Sequence, residues 1–250
     1  MLTLLSLAAS SLMMAGAGPA APDTRVFELR TYYAAEGKLD SLHARFRDHT
    51  MKLFARHGIT NIGYWTPVDN PERKLIYIVA FPDRAARDRA FGEFGADPEW
   101  QKTVKESEAN GKLVDRITSQ FLTLAPYSPA PKAARPRSPR LFELRIYKTR
   151  PGRFEALNAR FRDHTLGLFA KHGIANVAYW SPLAGDPGAD DTLVYIVAHK
   201  DQAGAAKGWD SFRKDPKWLK ARDASEAAGA ILAEPPTAVY MQPTDYSPIR

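Results

Sequence analysis

The sequence contains no cysteine. Disulfides, zinc–thiolate centres, iron–sulfur clusters and cysteine nucleophiles are therefore all excluded. It has no Gly-x-Ser-x-Gly elbow, no phosphate-binding Walker loop, no His-Glu-x-x-His and no Rossmann glycine run beyond residue 22. His-x-x-x-His is missing as well, so no pair of histidines one helical turn apart is available to a metal. Charge is absent from Met1 to Pro22, where an apolar run from Leu2 to Met14 leads into Ala15-Gly16-Ala17. That run is shorter than the roughly 20 residues a bilayer span needs. It reads as an export signal over 1–22, with a periplasmic or secreted destination and no stable membrane span after removal, although no Lys or Arg precedes the run.

Charge of one sign is scarce in both halves of what remains. The net charge of +7 is concentrated in Pro131–Arg140, which holds four basic residues and no acid. Neither half carries the basic face of a nucleic-acid-binding domain, so no nucleic-acid partner is expected.

An internal repeat is present. Ala44–Pro67 and Ala159–Pro182 agree at 17 of 24 positions, with a constant offset of 115. Phe27-Glu28-Leu29-Arg30-Thr31-Tyr32 is answered by Phe142-Glu143-Leu144-Arg145-Ile146-Tyr147, and Asp97-Pro98-Glu99-Trp100 by Asp215-Pro216-Lys217-Trp218. Both copies end in Tyr-Ser-Pro, at Tyr127 and Tyr246. The second copy has three extra residues after Pro182, which marks a loop. A period this long is a domain duplication. The chain divides into the signal at 1–22, unit 1 at 23–129, a Pro/Ala/basic linker at 130–140 and unit 2 at 141–250.

Within unit 1, period-2 patterning predicts strands over Val26–Tyr33, Ile59–Thr66, Lys74–Phe81 and Val114–Leu124. Helical periodicity predicts a helix over Glu36–His57, with Leu39, Leu42, Phe46, Thr50, Leu53 and His57 in one core-facing stripe. Gly58 ends it. Asp83 and Asp97 are placed to cap two further helices. The order β-α-β-β-α-(α)-β is an α+β, ferredoxin-like plan, with a four-stranded antiparallel sheet and helices on one face. The other sheet face needs cover, so the two repeats are expected to be each other's partner.

These motifs resemble the NIPSNAP family: the Phe-Glu-Leu-Arg-x-Tyr strand, the helix ending Phe-Ala-(Arg/Lys)-His-Gly-Ile, the following (Gly/Ala)-Tyr-Trp, and Asp-Pro-x-Trp. The resemblance implies two tandem ferredoxin-like units packed as an intramolecular dimeric α-β barrel. That superfamily includes cofactor-free monooxygenases, haem proteins and members without assigned activity. It carries no catalytic residues over to this chain. A metal is not expected and no cofactor is predicted, with haem left open.

Candidate binding residues follow from the repeat. His49 and His164, at the margin of the helix stripe, with Trp65 and Trp180, are expected to line twin cavities between helices and sheet that take a small apolar molecule. Arg30 and Arg145 sit two residues from Glu28 and Glu143 on one strand face. They are either anion-binding arginines or members of an ion-pair network where the two halves meet. His57 and His172 are placed to cap their helix C-termini. Besides ligand binding, an enzyme of the superfamily's monooxygenase or haem type and a structural or protein-interaction module remain as alternatives.

Overall fold

The computed structural model describes residues 23–134 and 140–250. The signal-like segment and linker residues 135–139 lie outside that range. Unit 1 runs β1 (Val26–Ala34), α1 (Leu39–Arg45), a π-helical turn (Phe46–Thr50), α2 (Met51–Arg56), β2 (Thr60–Pro67), β3 (Lys74–Phe81), α3 (Arg84–Ala96), α4 (Pro98–Ser107) and β4 (Val114–Leu124). Unit 2 repeats the order as β5 (Leu141–Lys148), α5 (Phe154–Arg160), a π-helical turn (Phe161–Thr165), α6 (Leu166–Lys171), β6 (Ala175–Pro182), β7 (Thr192–His199), α7 (Gln202–Arg213), α8 (Pro216–Ser225) and β8 (Thr237–Pro243). Among the described residues, no helix is long and apolar enough to cross a membrane.

Each unit is a four-stranded antiparallel sheet, and the two join into one closed barrel in the order β1-β3-β2-β8-β5-β7-β6-β4. Two short seams make the closure. β2 pairs with β8 from Trp65↔Pro243 to Pro67↔Met241, and β4 pairs with β6 from Leu122↔Pro182 to Leu124↔Trp180. Strand alternation sorts side chains into two layers. Phe27, Leu29, Ile76, Ile78, Phe142, Leu144, Val194 and Ile196 fill the barrel with Trp65 and Trp180. The opposite face of each sheet packs under the helices, with Phe46, Phe54, Tyr64 and Tyr77 in unit 1 and Phe161, Phe169, Tyr179 and Tyr195 in unit 2.

The predicted long helix is present, with one difference. Five residues in its middle, in both copies, wind as a π turn, where Thr50 Oγ1 donates to the Arg45 carbonyl at 3.1 Å and Thr165 Oγ1 to that of Arg160 at 3.0 Å. The predicted stripe survives it, since Leu42, Phe46, Thr50 and Leu53 are all buried. Asp83 and Asp97 cap α3 and α4 as expected, accepting from Ala86 N and Glu99 N.

The shared Tyr-Ser-Pro endings have a structural explanation. Each crosses to the other unit. Ser247 Oγ accepts from Tyr64 N at 2.9 Å, and Ser128 Oγ accepts from Tyr179 N at 2.8 Å. Tyr246 thus joins the helix-side core of unit 1, its hydroxyl 2.8 Å from His43 Nδ1, while Tyr127 donates to Asn158 of unit 2 at 2.7 Å. Part of the linker is fixed as well. Ala134 pairs with Ile249 in a parallel bridge, and Arg250 N donates to the Ala134 carbonyl at 2.9 Å.

Gly63 shows how tightly the barrel is filled. It sits at a register shift in β2, and a Cβ there would lie 2.3 Å from the Trp65 ring. Unit 2 has Ala178 at the matching place. Gly63→Ala is expected to cost about 1–3 kcal/mol through overpacking. Thermal denaturation checks this, and an unchanged Tm would show that Trp65 repacks freely.

Candidate functional site

The largest cavity described, about 830 Å³, lies beside the β2·β8 seam. Its origin is in the sequence. Pro67 ends β2, and the chain turns away at Val68–Asn70 before re-entering the sheet at Lys74. β8 has no such stop and continues back to Thr237. The slot beyond Pro67 is therefore left beside β8. Thr31, Ile76, Leu144, Ile146 and Val239 share the strand parity of the barrel core and form its apolar side. Thr237, Ala238, Val239 and Tyr240 all line it, so the cavity reaches both faces of β8. Tyr33, Asn70, Gln242 and the charged Asp69, Glu72, Lys74, Lys200 and Asp201 add polar groups. A second cavity, of about 240 Å³, lies between the helices and sheet of unit 1, among Tyr32, Arg45, Phe46, Thr50 and Trp100.

The sequence-predicted residues fall in three separate places. His49 and His164 are exposed on the outer side of their helices. His49 edges an open cleft with Asp48, Arg45 and Glu106, away from the sheet. The expectation that these histidines border a helix–sheet cavity is corrected here: the π turn lies between α1 and α2, and His49 falls outside the buried stripe that Phe46 and Thr50 continue. Trp65 and Trp180 lie inside the barrel, each 1% exposed, on the opposite side of the sheet from the helices. Trp65 packs against Phe142 at 5.6 Å and Trp180 against Phe27 at 5.8 Å, so each reaches across to the other unit. The six candidates do not converge.

Arg30 and Arg145 belong to buried networks beneath the helices, not where the units meet. Glu28 is fully buried and is held by Arg30, by Arg87 Nε and Nη2 at 2.9 and 3.0 Å, and by Ser119 Oγ at 2.7 Å. Arg30 Nε also donates to Tyr77 Oη at 2.8 Å. Unit 2 keeps Glu143–Arg145 at 2.5 Å but surrounds the carboxylate differently, with His199 Nε2 at 2.9 Å and Trp209 Nε1 at 2.7 Å. Burial alone would push the Glu28 carboxyl up, but Arg87, Arg30 and Ser119 outweigh it and hold it below the ordinary glutamate range. With its Nε, Nη1 and Nη2 donating to Tyr77, Glu28 and Tyr32, Arg30 is a structural tie.

The histidine inventory bears on haem. Among the six histidines, His57 and His172 bind Asp97 at 2.6 Å and Asp215 at 2.7 Å, tying the end of one helix to the cap of another. His43 lies against Tyr246 and His199 against Glu143. None of the six lines the large cavity, and neither does a methionine. The cavity thus lacks the histidine and methionine side chains that commonly ligate haem iron. Among the described residues, no group of three or more His, Asp or Glu side chains is placed to hold a metal ion. The cavity at the β2·β8 seam was not anticipated from sequence, where Pro67 was the one legible sign of it.

Two ferredoxin-like sheets closed edge to edge into an eight-stranded barrel, with helices outside, define a dimeric α-β barrel contained in one chain. The chain belongs to the NIPSNAP family, whose sequence model matches residues 27–129 and 142–248. No curated protein matches it. Solved structures share the whole two-unit fold at low identity. A Lactobacillus acidophilus protein described as a "putative monooxygenase" superposes with TM-score 0.59 at 14% identity, covering 90% of this chain and 98% of that one. A Fusobacterium nucleatum protein of the same description gives 0.59 at 11%, covering 88% and 92%. An anthrone oxidase-like protein gives 0.53 at 13%, covering 89% and 92%.

Proposed function

We propose that this protein binds a small, largely apolar molecule in the cavity beside the β2·β8 seam. The observation that carries this reading is the cavity itself. At about 830 Å³ it falls within the size range of ligand sites, and it combines an aliphatic wall from Ile76, Leu144, Ile146 and Val239 with a polar and charged rim. The site replaces the twin helix–sheet cavities expected from sequence, since the helix–sheet space of unit 1 retains only about 240 Å³.

A solvatochromic apolar dye such as Nile red tests the assignment. Saturable binding with a blue-shifted emission is expected for the native protein. Val239→Trp, which places a large ring in the cavity from a half-buried position, should weaken that binding at least tenfold while the Tm stays within a few degrees. Absence of saturable binding, or equal affinity in the variant, would remove the assignment.

A further inference from the structure

We infer that the ligand class for this cavity is an extended peptide, added as a strand to the free edge of β8. This deepens the binding reading above and rests on it. Tyr240 O accepts from Val68 N at 2.8 Å, and Thr244 N donates to Tyr64 O at 3.0 Å. The even-numbered residues of β8 therefore turn their main-chain groups toward β2, and the odd-numbered ones bond to β5, as an antiparallel ladder requires.

Among the described residues, no strand continues the line of β2 after Val68. By the same alternation, the N–H and C=O of Ala238 and the N–H of Tyr240 face that line. Thr237 and Ala238 are exposed, and Val239 and Tyr240 are half-buried. From Thr237 to Tyr240 the open edge runs on the order of 10 Å, at about 3.4 Å per residue. A strand lying there would continue the β2·β8 ladder in register.

The cavity supplies what such a strand needs on its two faces. Side chains pointing inward meet Ile76, Leu144, Ile146 and Val239, and those pointing outward meet Tyr240 and Gln242. Main-chain bonds to the edge would provide affinity, and alternate side-chain contacts would provide selectivity for an aliphatic residue at every second place. At the rim Asp69, Glu72 and Asp201 are balanced by Lys74, Lys200 and Arg116, which bridges Glu72 at 3.7 Å, so the peptide backbone and alternate side chains carry the recognition. A free edge is usually blunted by charge, proline or a covering loop. Thr237–Tyr240 carries neither charge nor proline, and the equivalent stretch of β4, Thr118–Phe121, is uncharged as well.

The probe is acetyl-Lys-Val-Thr-Val-Thr-Val-amide, titrated calorimetrically into the full chain. Two further peptides carry N-methyl groups on one or the other alternating set of amides. Binding is expected for the parent, with a loss of at least tenfold for one methylated set and little change for the other. Ala238→Pro deletes one edge N–H, at a site where an edge strand tolerates proline, and should weaken the parent peptide at least tenfold with an unchanged circular dichroism spectrum. If that variant fails to fold, the methylated pair decides on the native chain. Equal binding by both methylated peptides, or no peptide binding while Nile red still binds, overturns strand addition and leaves the small-molecule reading. If neither dye nor peptide binds, both are overturned.

Discussion

Glu28→Ala should destabilise the protein by about 3–5 kcal/mol, the usual cost of removing one partner from a buried ion pair. The physical reason is what remains behind. Arg30 is 8% exposed and Arg87 is largely covered, and both lose their shared carboxylate at once. For a chain of this size, the loss corresponds to a fall in Tm on the order of 10 °C. The second unit suggests the compensation. It has Ala205 where helix α3 has Arg87, so adding Arg87→Ala should recover part of the loss. Because the Glu28 carboxyl is held low when folded, its contribution is complete above the ordinary glutamate pKa and fades as pH falls through the lower folded value. Chemical denaturation at pH 7 and pH 4 measures both effects. A cost below about 1 kcal/mol at pH 7 would show that the network adds nothing net.

Residues 23–129 expressed alone should form a homodimer. Without unit 2 the sheet leaves Phe27, Leu29, Ile62, Trp65, Ile76, Ile78 and Leu122 facing water. Each large apolar side chain so exposed costs roughly 1.5–3 kcal/mol. A second copy can cover them, since its β4 can pair with β2 where β8 does in the full chain, and its Tyr127-Ser128 arm can dock where Tyr246-Ser247 does. Sedimentation should therefore give a dimer at micromolar concentration. A stable, soluble monomer with native-like spectra would show that a half-barrel is self-sufficient.

Much of the fold was legible because the repeat supplied two readings of each element. Lys74–Phe81 and Val114–Leu124 match the observed strands at both ends, and Asp83 and Asp97 cap as their positions suggested. The seams were not legible. The pairing of Pro67 with Met241 joins residues far apart in sequence, and no local periodicity signals it. The π turn was hidden for another reason, since a buried Leu42, Phe46, Thr50 and Leu53 satisfy an ordinary helical stripe equally well. The site was misplaced for a related cause. The helix–sheet space is where periodicity points, but Phe46, Phe54 and Tyr77 fill most of it in unit 1. Trp65 and Trp180 alternate with Tyr64 and Tyr179, so their burial was legible while the side of the sheet they face depended on the irregular register in β2 and β6.

Closure of the barrel within one polypeptide has a consequence for how its parts can change. In a two-fold homodimer every substitution appears twice, so both mouths of the barrel must stay alike. Here they have separated. Gly63 stands against Ala178, His43 against Asn158, Arg87 against Ala205, and the loop after Pro182 is longer than the loop after Pro67. One mouth is free to acquire a ligand's shape while the other keeps the architecture intact, and dilution cannot dissociate the two. Fusion thus turns a symmetric assembly into a molecule with a front and a back.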